Sequence, residues 1–406
     1  MSDQLIELAN VTTPRLIKII GVGGGGGNAV GQMYRDNIPE VRYLVANTDR
    51  KALEDSPVPD HLQLGPGLGA GGNPEIGLKY AEENIEGIRK ALDDDTKMVF
   101  ITAGMGGGTG TGASPVIARE ARKKGILTIG IVTIPFLFER ERQIDKALDG
   151  LERLAKEVDA MLVINNQRLC EIYPNLAIIE AFKKADRTLS MAVSSITEVI
   201  SVHGRISLDF QDVRTVLKDG GVAVMSTGFG EGEGRVTHAL NEAIHSPLLN
   251  NNDIYNAKHI LIAITTNDDP GSTLQTYEFD EITAFMNKFD ANINSKWGLA
   301  LDRSLGNKIK ITILASGFGL QPHKRKRYQE LYRPTPPIVD PGKELRRDEF
   351  YGNFKGRPRR RSNIYYFTED DLSNPKVQEM VDEVPTRKRT GEFLESIKFI
   401  STKNNK

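Results

Sequence analysis

The sequence predicts an α/β protein whose first half is a Rossmann-like parallel sheet with helices on both faces. Short apolar runs of β type alternate with stretches of helical spacing, and two of those runs end directly in a glycine-rich loop. This alternation is typical of sheets in which a ligand binds beyond the carboxyl ends of the strands. The predicted strands cover 16–20, 43–45, 98–102, 127–133 and 161–164, and the predicted helices cover 28–35, 77–92, 115–124 and 144–156.

One long helix is predicted to join this first domain to a second, smaller α/β domain. Apolar residues recur at helical spacing over 176–202, and the pattern breaks at His203 and Gly204. The second domain has β-type segments at 257–266 and 308–315 around a helical stretch at 236–243. The predicted boundaries are 1–15 for a flexible N-terminal segment, 16–175 for the first domain, 176–203 for the central helix, 204–223 for a loop and short helix, 224–320 for the second domain, 321–379 for a disordered basic linker and 380–406 for a C-terminal tail.

Composition argues against an exported or membrane-spanning protein. The 406 residues contain no run of about 18 apolar residues and no basic-then-apolar start, so neither a membrane span nor an export signal is predicted. The single cysteine, Cys170, cannot form an intramolecular disulfide and suits a reducing cytosol. A small buried or half-buried residue is favoured there over a nucleophile.

Charge is distributed unevenly along the chain. Residues 321–406 carry 20 Lys+Arg against 13 Asp+Glu, a net charge of +7, whereas residues 1–320 have a net charge of −8. Pro, Arg and Tyr occur in this region without an apolar period, which predicts flexibility. Such a tail could contact anionic lipid, nucleic acid or an acidic partner, or serve only as a solubilising linker, and charge alone does not decide between these.

The first glycine loop follows the first predicted strand. Five successive glycines, Gly23 to Gly27, precede Asn28 and a helix, and glycine lets backbone N–H groups approach a phosphate closely. The same residues satisfy the dinucleotide pattern G-x-G-x-x-G, with Asp49 at the expected separation for a ribose contact. Alone, this loop therefore does not separate a nucleotide triphosphate from a dinucleotide.

The second glycine loop is more specific. It runs from Gly104 to Gly112 as G-M-G-G-G-T-G-T-G after a predicted strand, and a helix is expected to begin near Pro115. Thr109 and Thr111 offer additional hydroxyl donors for a phosphate. A P-loop GTPase would require G-K-[ST] after its glycines, and the sequence contains no such run.

G-G-G-T-G-T-G is the nucleotide signature of the tubulin/FtsZ family, which the chain resembles over about residues 15–320. The resemblance implies a tubulin-like GTPase domain, GTP or GDP as the bound nucleotide, and Mg²⁺ through ligands that stay unassigned. It also implies contacts to the nucleotide from N-T-D, G-A-G and T-x-P-F loops and from the long helix. The implied binding residues are Gly23, Gly24, Gly25, Gly27, Asn28, Asn47, Asp49, Ala70, Gly71, Gly72, Gly104, Gly106, Gly107, Gly108, Thr109, Gly110, Thr133, Pro135, Glu139, Asn166, Phe182 and Asp186.

Two of these side chains suit a guanine base. An aromatic ring such as Phe182 stacks on a purine, although a core position on the long helix would explain the same residue. A carboxylate such as Asp186 accepts hydrogen bonds from guanine N1–H and N2–H₂, which adenine does not offer in that arrangement, so GTP is expected over ATP.

Hydrolysis is assigned to the segment after the long helix. Asp209 and Asp212 are two carboxylates three residues apart, and in isolation Asp209 would serve equally as a helix cap. The resemblance implies that this loop reaches the nucleotide of the next subunit in a head-to-tail homopolymer, where the two acids polarise the attacking water. The catalytic site would then be complete only in the polymer.

Three positions depart from the family pattern. Ser207 stands where Asn is usual, Arg140 where Gly is usual, and Gln143 where Arg is usual. Turnover or affinity is therefore expected to differ from that of other members, and a GTP-binding polymer scaffold with weak hydrolysis is the alternative. A Rossmann oxidoreductase is disfavoured by the second glycine loop and by the paired acids.

The tail partly matches a peptide with which family members bind a membrane-tethering partner. Residues 382–389 read D-E-V-P-T-R-K-R, which keeps Val-Pro and the basic end but lacks the aromatic, and 391–400 adds apolar residues. The resemblance implies self-association, membrane-tethering and other division proteins as tail partners, and no nucleic acid. It also implies membrane contact that is indirect or made through the basic tail, and a cytoplasmic location at the mid-cell division site.

Overall fold

The computed structural model describes residues 15–173, 175, 177–201, 204–244, 254–318 and 341–351, and their strands form one ten-stranded sheet. The strands are β1 (Ile17–Val22), β2 (Val41–Asn47), β3 (His61–Gln63), β4 (Met98–Gly104), β5 (Leu127–Ile134), β6 (Ala160–Asn165), β7 (Gly221–Gly230), β8 (His259–Thr266), β9 (Asn294–Leu301) and β10 (Ile309–Phe318). The helices are α1 (Gly23–Arg35), α2 (Arg50–Glu54), α3 (Pro74–Glu83), α4 (Ile85–Ala91), α5 (Thr109–Lys123), α6 (Glu141–Ala155), α7 (Asn166–Ile172), α8 (Ile178–Ser201), α9 (Phe210–Leu217), α10 (Arg235–Ile244), α11 (Phe279–Met286) and α12 (Pro341–Tyr351).

The sheet order confirms the predicted α/β class. Along the order β3-β2-β1-β4-β5-β6-β7-β10-β8-β9, every neighbouring pair from β3 to β7 is parallel, whereas β10 runs antiparallel to both β7 and β8. The central strands β1, β4 and β5 are almost wholly buried, because helices cover both faces of a parallel sheet. Their carboxyl ends therefore share one edge, where both glycine loops begin.

Helix α8 joins the two halves, as predicted. Its 24 residues bury a stripe that includes Leu189, Val193 and Ile196, at helical spacing. Near its carboxyl end, the Glu198 carboxylate pairs with Lys310 at the start of β10, with an N–O distance of 2.7 Å. Residue 203, where a break was predicted, lies outside the described residues.

Three predicted helix boundaries were wrong. α1 begins at Gly23 rather than Asn28, and α5 begins at Thr109, so that Pro115 lies inside it. Glycine is a poor helix former in isolation, but here the tight packing of both loops sets the helix starts. The predicted helix over 77–92 is two helices, α3 and α4, which meet at Asn84 in a non-helical conformation.

The described part of the predicted linker is not disordered. Residues 341–351 form α12, which packs against α6, so the prediction of disorder over 321–379 is wrong for this stretch. The rest of that linker, residues 1–14 and the tail at 380–406 lie outside the described residues. Among the helices that the structure describes, none is long and apolar enough to cross a membrane.

Candidate nucleotide site

The two glycine loops lie against each other at the carboxyl ends of β1 and β4. A Cβ atom on Gly23 would lie 2.8 Å from the backbone nitrogen of Gly110, and one on Gly25 would lie 3.3 Å from the Cα atom of Gly104. Gly23 also has a φ of +73°, in the region that favours glycine. Backbone packed this closely leaves no room for side chains, which explains why both loops are rich in glycine.

The outer side of the paired loops is open. No atom lies within 4 Å of the Cβ position on Gly24 or Gly107, and Gly24, Gly25 and Asn28 are exposed. Because α1 and α5 both begin here, the free N–H groups of two helix N-termini border this open backbone. The arrangement is a cradle for an anionic group such as a polyphosphate.

Threonine hydroxyls fasten the second loop from within. The Thr109 hydroxyl is 2.6 Å from the Thr48 hydroxyl, and the buried Thr111 hydroxyl accepts a hydrogen bond from the Gly106 N–H at 2.8 Å. Thr111 therefore holds its own loop as an acceptor, and its O–H remains available as the donor that the sequence predicts. Thr109 lies at the start of α5, where its backbone N–H is among the free donors.

The loop at residues 65–72 is fastened beside the second glycine loop. The Gly69 N–H donates to the Thr48 carbonyl at 2.9 Å, and the Lys146 ammonium of α6 donates to the Gly72 carbonyl at 2.6 Å. Ala70 is buried against the second glycine loop. A Cβ atom added to Gly108 would lie only 2.8 Å from the Ala70 Cβ atom. Gly71 and Gly72 both have positive φ and open space at their Cβ positions, so this loop also presents backbone to the cradle.

Asn47 and Asp49 shape the turn beneath that loop. The Asn47 side-chain oxygen accepts from the Asp49 N–H at 3.3 Å, and the Asp49 carboxylate caps α2 by accepting from the Lys51 N–H at 3.0 Å. Asp49 also forms an isolated backbone bridge with Leu68. Gly27, one turn into α1, packs its backbone toward the Val45 side chain.

The segment after β5 borders the cradle on a second side. The Thr133 carbonyl accepts from the Met105 N–H at 2.9 Å, and Pro135 contacts Gly106. The Glu139 carboxylate accepts from the Phe136 N–H at 2.9 Å, and burial raises the pKa of this carboxyl. We call residues Pro135–Arg140 the ribose-side loop.

Arg140 adopts a backbone conformation that is strained for an arginine. Its φ is +73° and its ψ is 159°, a combination reached almost only by glycine. This explains in physical terms why Gly is usual at this position in the family. The strain sits at the start of α6, directly after Glu139.

Of the three predicted sugar and base contacts, Phe182 and Asp186 lie on α8, and Asn166 begins α7. The ring of Phe182, which is 44% exposed, stands edge-to-face against Phe136 with the centroids 5.0 Å apart. Asp186 lies one turn along the same face of α8, and burial raises the pKa of its carboxyl to about 6, against an opposing effect of Arg35. Asn166 is buried, and within the described residues its side-chain oxygen has no hydrogen-bond partner.

The two catalytic candidates lie elsewhere in the chain. Asp209 caps α9 and accepts from the Asp212 N–H at 2.9 Å, while Asp212 accepts from the Asp209 N–H at 3.2 Å. The other Asp212 oxygen pairs with Lys296 at 3.0 Å, and Lys296 and the Asp209 N–H hold the pKa of this carboxyl below its usual range despite partial burial. Ser207 donates to the Gly204 carbonyl at 3.1 Å.

Helix α8 separates these acids from the cradle. Phe182 lies near its start and Ser201 at its end, about 28 Å apart at the rise of an α-helix. The loop that carries Asp209 and Asp212 follows the far end. The structure therefore does not bring the two acids to the glycine loops of the same chain.

Models of known protein families match this chain along most of its length. Residues 16–174 match the GTPase domain of the Tubulin/FtsZ family, 221–319 the FtsZ family C-terminal domain, and 359–404 a further FtsZ C-terminal family. The chain is 52% identical to the cell division protein FtsZ of Porphyromonas gingivalis over 328 residues, which are 79% of this chain and 71% of that protein. It is 41% identical to the FtsZ of Aquifex aeolicus, over 75% of this chain and 83% of that one.

The chain belongs to the tubulin/FtsZ family. A solved, empty FtsZ dimer from M. jannaschii superposes with a TM-score of 0.67 at 37% identity, over 74% of this chain and 88% of that one. The predicted fold class, guanine-nucleotide binding, GTPase activity and filament-forming cell-division function are thereby confirmed. CetZ2 from Haloferax volcanii, 20% identical with a TM-score of 0.63, shares the fold.

Some residues that shape the site of this family member were missed from sequence. Lys146 fastens the loop at residues 65–72, and Tyr351 of α12 donates to the Pro135 carbonyl at 2.7 Å. No motif marks Lys146, because it acts through a backbone carbonyl, whereas Thr48 belongs to the predicted N-T-D loop. A signal for α12 exists: Asp340-Pro341 precedes Gly-Lys-Glu-Leu, which is a helix-start pattern.

Proposed function

We propose that this chain hydrolyses GTP in a composite site, in which one subunit supplies the phosphate cradle and the next supplies Asp209 and Asp212. The observation that carries the proposal is the separation of these two parts by the length of α8. Within the residues that the structure describes, a single copy places Asp209 and Asp212 at the far end of α8 from the cradle, so its cradle and its acid pair do not meet. A head-to-tail interface, which repeats indefinitely when it does not close, brings the two together.

The cradle suits a guanosine triphosphate. Open backbone at Gly24, Gly71, Gly72 and Gly107 accommodates the phosphates. The exposed Phe182 ring offers a stacking face, and Asp186 accepts from the guanine N1–H and N2–H₂ groups. The unpartnered Asn166 side-chain oxygen is a further acceptor for a sugar hydroxyl or base N–H. The other predicted binding residues of the cradle are also proposed to contact the nucleotide.

Mg²⁺ is expected to arrive with the nucleotide. Among the residues that the structure describes, no group of three or more His, Cys, Asp or Glu side chains could hold a metal ion. This fits Mg²⁺, which keeps several waters and takes phosphate oxygens together with one or two carboxylates at most. The ion would neutralise charge on the phosphates.

The two acids have different tasks in the composite site. In one copy, Asp209 uses Oδ1 to accept from the Asp212 N–H, and within the described residues its Oδ2 has no partner, so that oxygen is free to accept from the attacking water. Asp212 uses both oxygens, one on the Asp209 N–H and one on Lys296. Asp212 therefore stays ionised and holds the loop, while Asp209 orients the water.

The filament is expected to build the division ring in the cytoplasm at mid-cell. The tail at 380–406 would bind a membrane-tethering partner and other division proteins, and nucleic acid would not be a partner. The match of residues 359–404 to an FtsZ C-terminal family supports a shared role for this tail. Removing residues 380–406 should leave sedimentable filaments but abolish ring formation, observed by fluorescence of the tagged chain in cells.

Phosphate release against protein concentration tests the composite site. The rate per subunit should be near zero at low concentration and rise steeply above a critical concentration, at which filaments begin to sediment. Filaments without phosphate release would instead support a GTP-binding scaffold, which the departures at Arg140, Ser207 and Gln143 favour. A constant rate per subunit at all concentrations would contradict a shared site.

A further inference from the structure

Helix α12 lies against an acidic face of α6. Four carboxylates of α6 repeat at spacings of four, four and three residues, which places like charges on one helix face and destabilises it in isolation. Two consecutive arginines of α12 neutralise this row, and Arg347 is only 7% exposed. The pairs are Arg346 with Asp149 at 2.9 Å and with Glu152, and Arg347 with Asp145 at 2.6 Å and with Glu141 at 3.4 Å.

The end of α12 reaches the ribose-side loop. The Tyr351 hydroxyl donates to the Pro135 carbonyl at 2.7 Å, and the Asn165 side-chain amide donates to the Phe350 carbonyl. Tyr351 is 8% exposed, and burial together with the nearby Glu139 charge raises the pKa of its phenol, so it remains a donor. Two hydrogen bonds thus join α12 to the residue that follows β5 and to the last residue of β6.

The opposite side of α6 contacts the phosphate loops. Lys146 holds the Gly72 carbonyl, and the Gln143 carbonyl lies 3.0 Å from the Cβ position of Gly106. A displacement of α6 would therefore move both loops. The positive φ of Arg140, where α6 begins, persists only if the surroundings fix it, and Tyr351 supplies part of that constraint through Pro135.

We propose that α12 is an intramolecular brace that positions the ribose-side loop and α6, and thereby slows release of the bound nucleotide. Tyr351 is its positioning residue, and Arg346 and Arg347 are its docking residues. The inference rests on the proposed nucleotide site. Since α12 lies in the segment that leads to the tail, a load on the tail that detaches α12 would speed nucleotide release.

Three variants of the full-length chain test the brace. Tyr351→Phe removes the hydroxyl that donates to Pro135 and keeps the ring, and the double variant Arg346→Glu/Arg347→Glu repels the acidic row. Lys343→Glu is the control, because Lys343 belongs to the same helix and takes part in none of the described ion pairs between α12 and α6. Release of a fluorescent GDP analogue is measured below the concentration at which filaments form, and amide hydrogen exchange is followed over residues 136–143.

The double variant should release GDP about tenfold faster and Tyr351→Phe about threefold faster, as expected when one or a few hydrogen-bonded contacts are lost. Lys343→Glu should match the unaltered chain, and exchange over 136–143 should rise in the two brace variants alone. Combining Arg347→Asp with Asp145→Arg should restore slow release, which a general loss of stability would not.

Release rates within twofold of the unaltered chain in both brace variants would overturn the brace. If the double variant fails to fold by circular dichroism, Tyr351→Phe decides alone. A chain that binds no guanine nucleotide before any substitution would overturn the proposed nucleotide site as well, so the two failures are distinguishable.

Discussion

The two ends of α8 carry different groups, which we propose are opposite halves of a hydrolytic site. At the first end, open glycine backbone, two helix N-termini and an exposed aromatic ring form a surface suited to a nucleotide. At the other end, Asp209 and Asp212 form a reciprocally hydrogen-bonded acid pair beside Lys296. The first end is suited to an anionic ligand and the second presents two carboxylates, so we expect neither end to be a catalytic site alone.

This contrast teaches why the activity of the chain should depend on assembly. Each end is rigid for its own reason: the cradle through backbone packing and threonine hydrogen bonds, and the acid loop through a capping box. Because both are built before any contact between subunits, little reorganisation is required when they meet, and preorganised electrostatics supply catalysis most effectively. Variants at the two ends should therefore differ in whether they impair turnover or nucleotide binding.

Removing an acid should abolish turnover and leave nucleotide binding intact. Asp209→Asn and Asp212→Asn are each expected to lower the turnover rate at least about 100-fold, because Asp209 orients the water and Asp212 holds the loop that carries Asp209. Phosphate release measures turnover, and equilibrium titration with a GDP analogue should give affinities within about twofold of the unaltered chain.

Asp219→Asn is the matched control for these acids. Asp219 lies just beyond the other end of α9, is exposed, and has a φ of +52° that asparagine tolerates. Its turnover should be unchanged. A large loss of nucleotide affinity in Asp209→Asn or Asp212→Asn would mean that the acids belong to the pocket of their own subunit.

Removing the Asp186 carboxylate, near the first end of α8, should instead weaken nucleotide binding. Asp186→Asn is expected to weaken guanine-nucleotide binding by about 10- to 100-fold at pH 7, the range for hydrogen bonds to a charged group. Xanthosine nucleotides should gain relative affinity, since xanthine has a carbonyl where guanine has its 2-amino group. Competition titration measures both changes, with Glu180→Gln on the same helix as the control.

The same residue predicts a pH dependence. The pKa of Asp186 is raised to about 6, so its carboxylate is lost as the pH falls through 6, and GDP affinity should fall about tenfold between pH 7 and pH 5. In the folded chain without nucleotide the sign is reversed: a raised carboxyl pKa means that stability decreases as pH rises from about 4 to about 6. Asp186→Asn should remove both steps, and their persistence would show that another group titrates.

Relieving the strain at the border of the cradle should have a moderate effect. Arg140→Gly should stabilise the fold by about 1 kcal/mol, because glycine adopts this positive φ without penalty. The expected rise in Tm is about 2 °C in thermal unfolding. Arg142→Gly, two residues later inside α6, should lower Tm instead, and a fall in Tm for Arg140→Gly would contradict the strain.

Restoring the usual residue in the acid loop should have the smallest effect. Ser207 is exposed and donates to the Gly204 carbonyl, so it reaches less far than asparagine would. Ser207→Asn should raise turnover about threefold through one added hydrogen bond to the neighbouring nucleotide. Ser207→Ala is the control and should not raise it, and equal rates for the two variants would show that residue 207 does not contact the neighbour.

The parts of the molecule that obey local rules were predictable from the sequence. The parallel sheet, the second domain and the long helix follow from apolar periodicity, and the G-G-G-T-G-T-G loop identified the family. The starts of α1 and α5 were not predictable from propensity, because tertiary packing overrides the poor helix propensity of glycine.

Other features depend on contacts distant in sequence. Tyr351 and Pro135 are 216 residues apart, and Lys146 and Gly72 are 74 apart, so no local pattern could pair them. Arg140 was recognised as a departure from the family, but only the structure shows its positive φ. α12 was missed because the surrounding composition favours disorder and its burial comes from α6.

Mixing two inactive variants tests the shared site most directly. Asp212→Asn keeps the cradle and lacks an acid, whereas Gly24→Glu keeps the acids and places a carboxylate in the cradle, at a position with open space and no positive φ. Each should release almost no phosphate alone. An equimolar mixture should recover about a quarter of the wild-type rate, the share of head-to-tail interfaces that pair an intact cradle with an intact acid loop. No recovery from two folded variants that form mixed filaments would contradict a site shared between subunits.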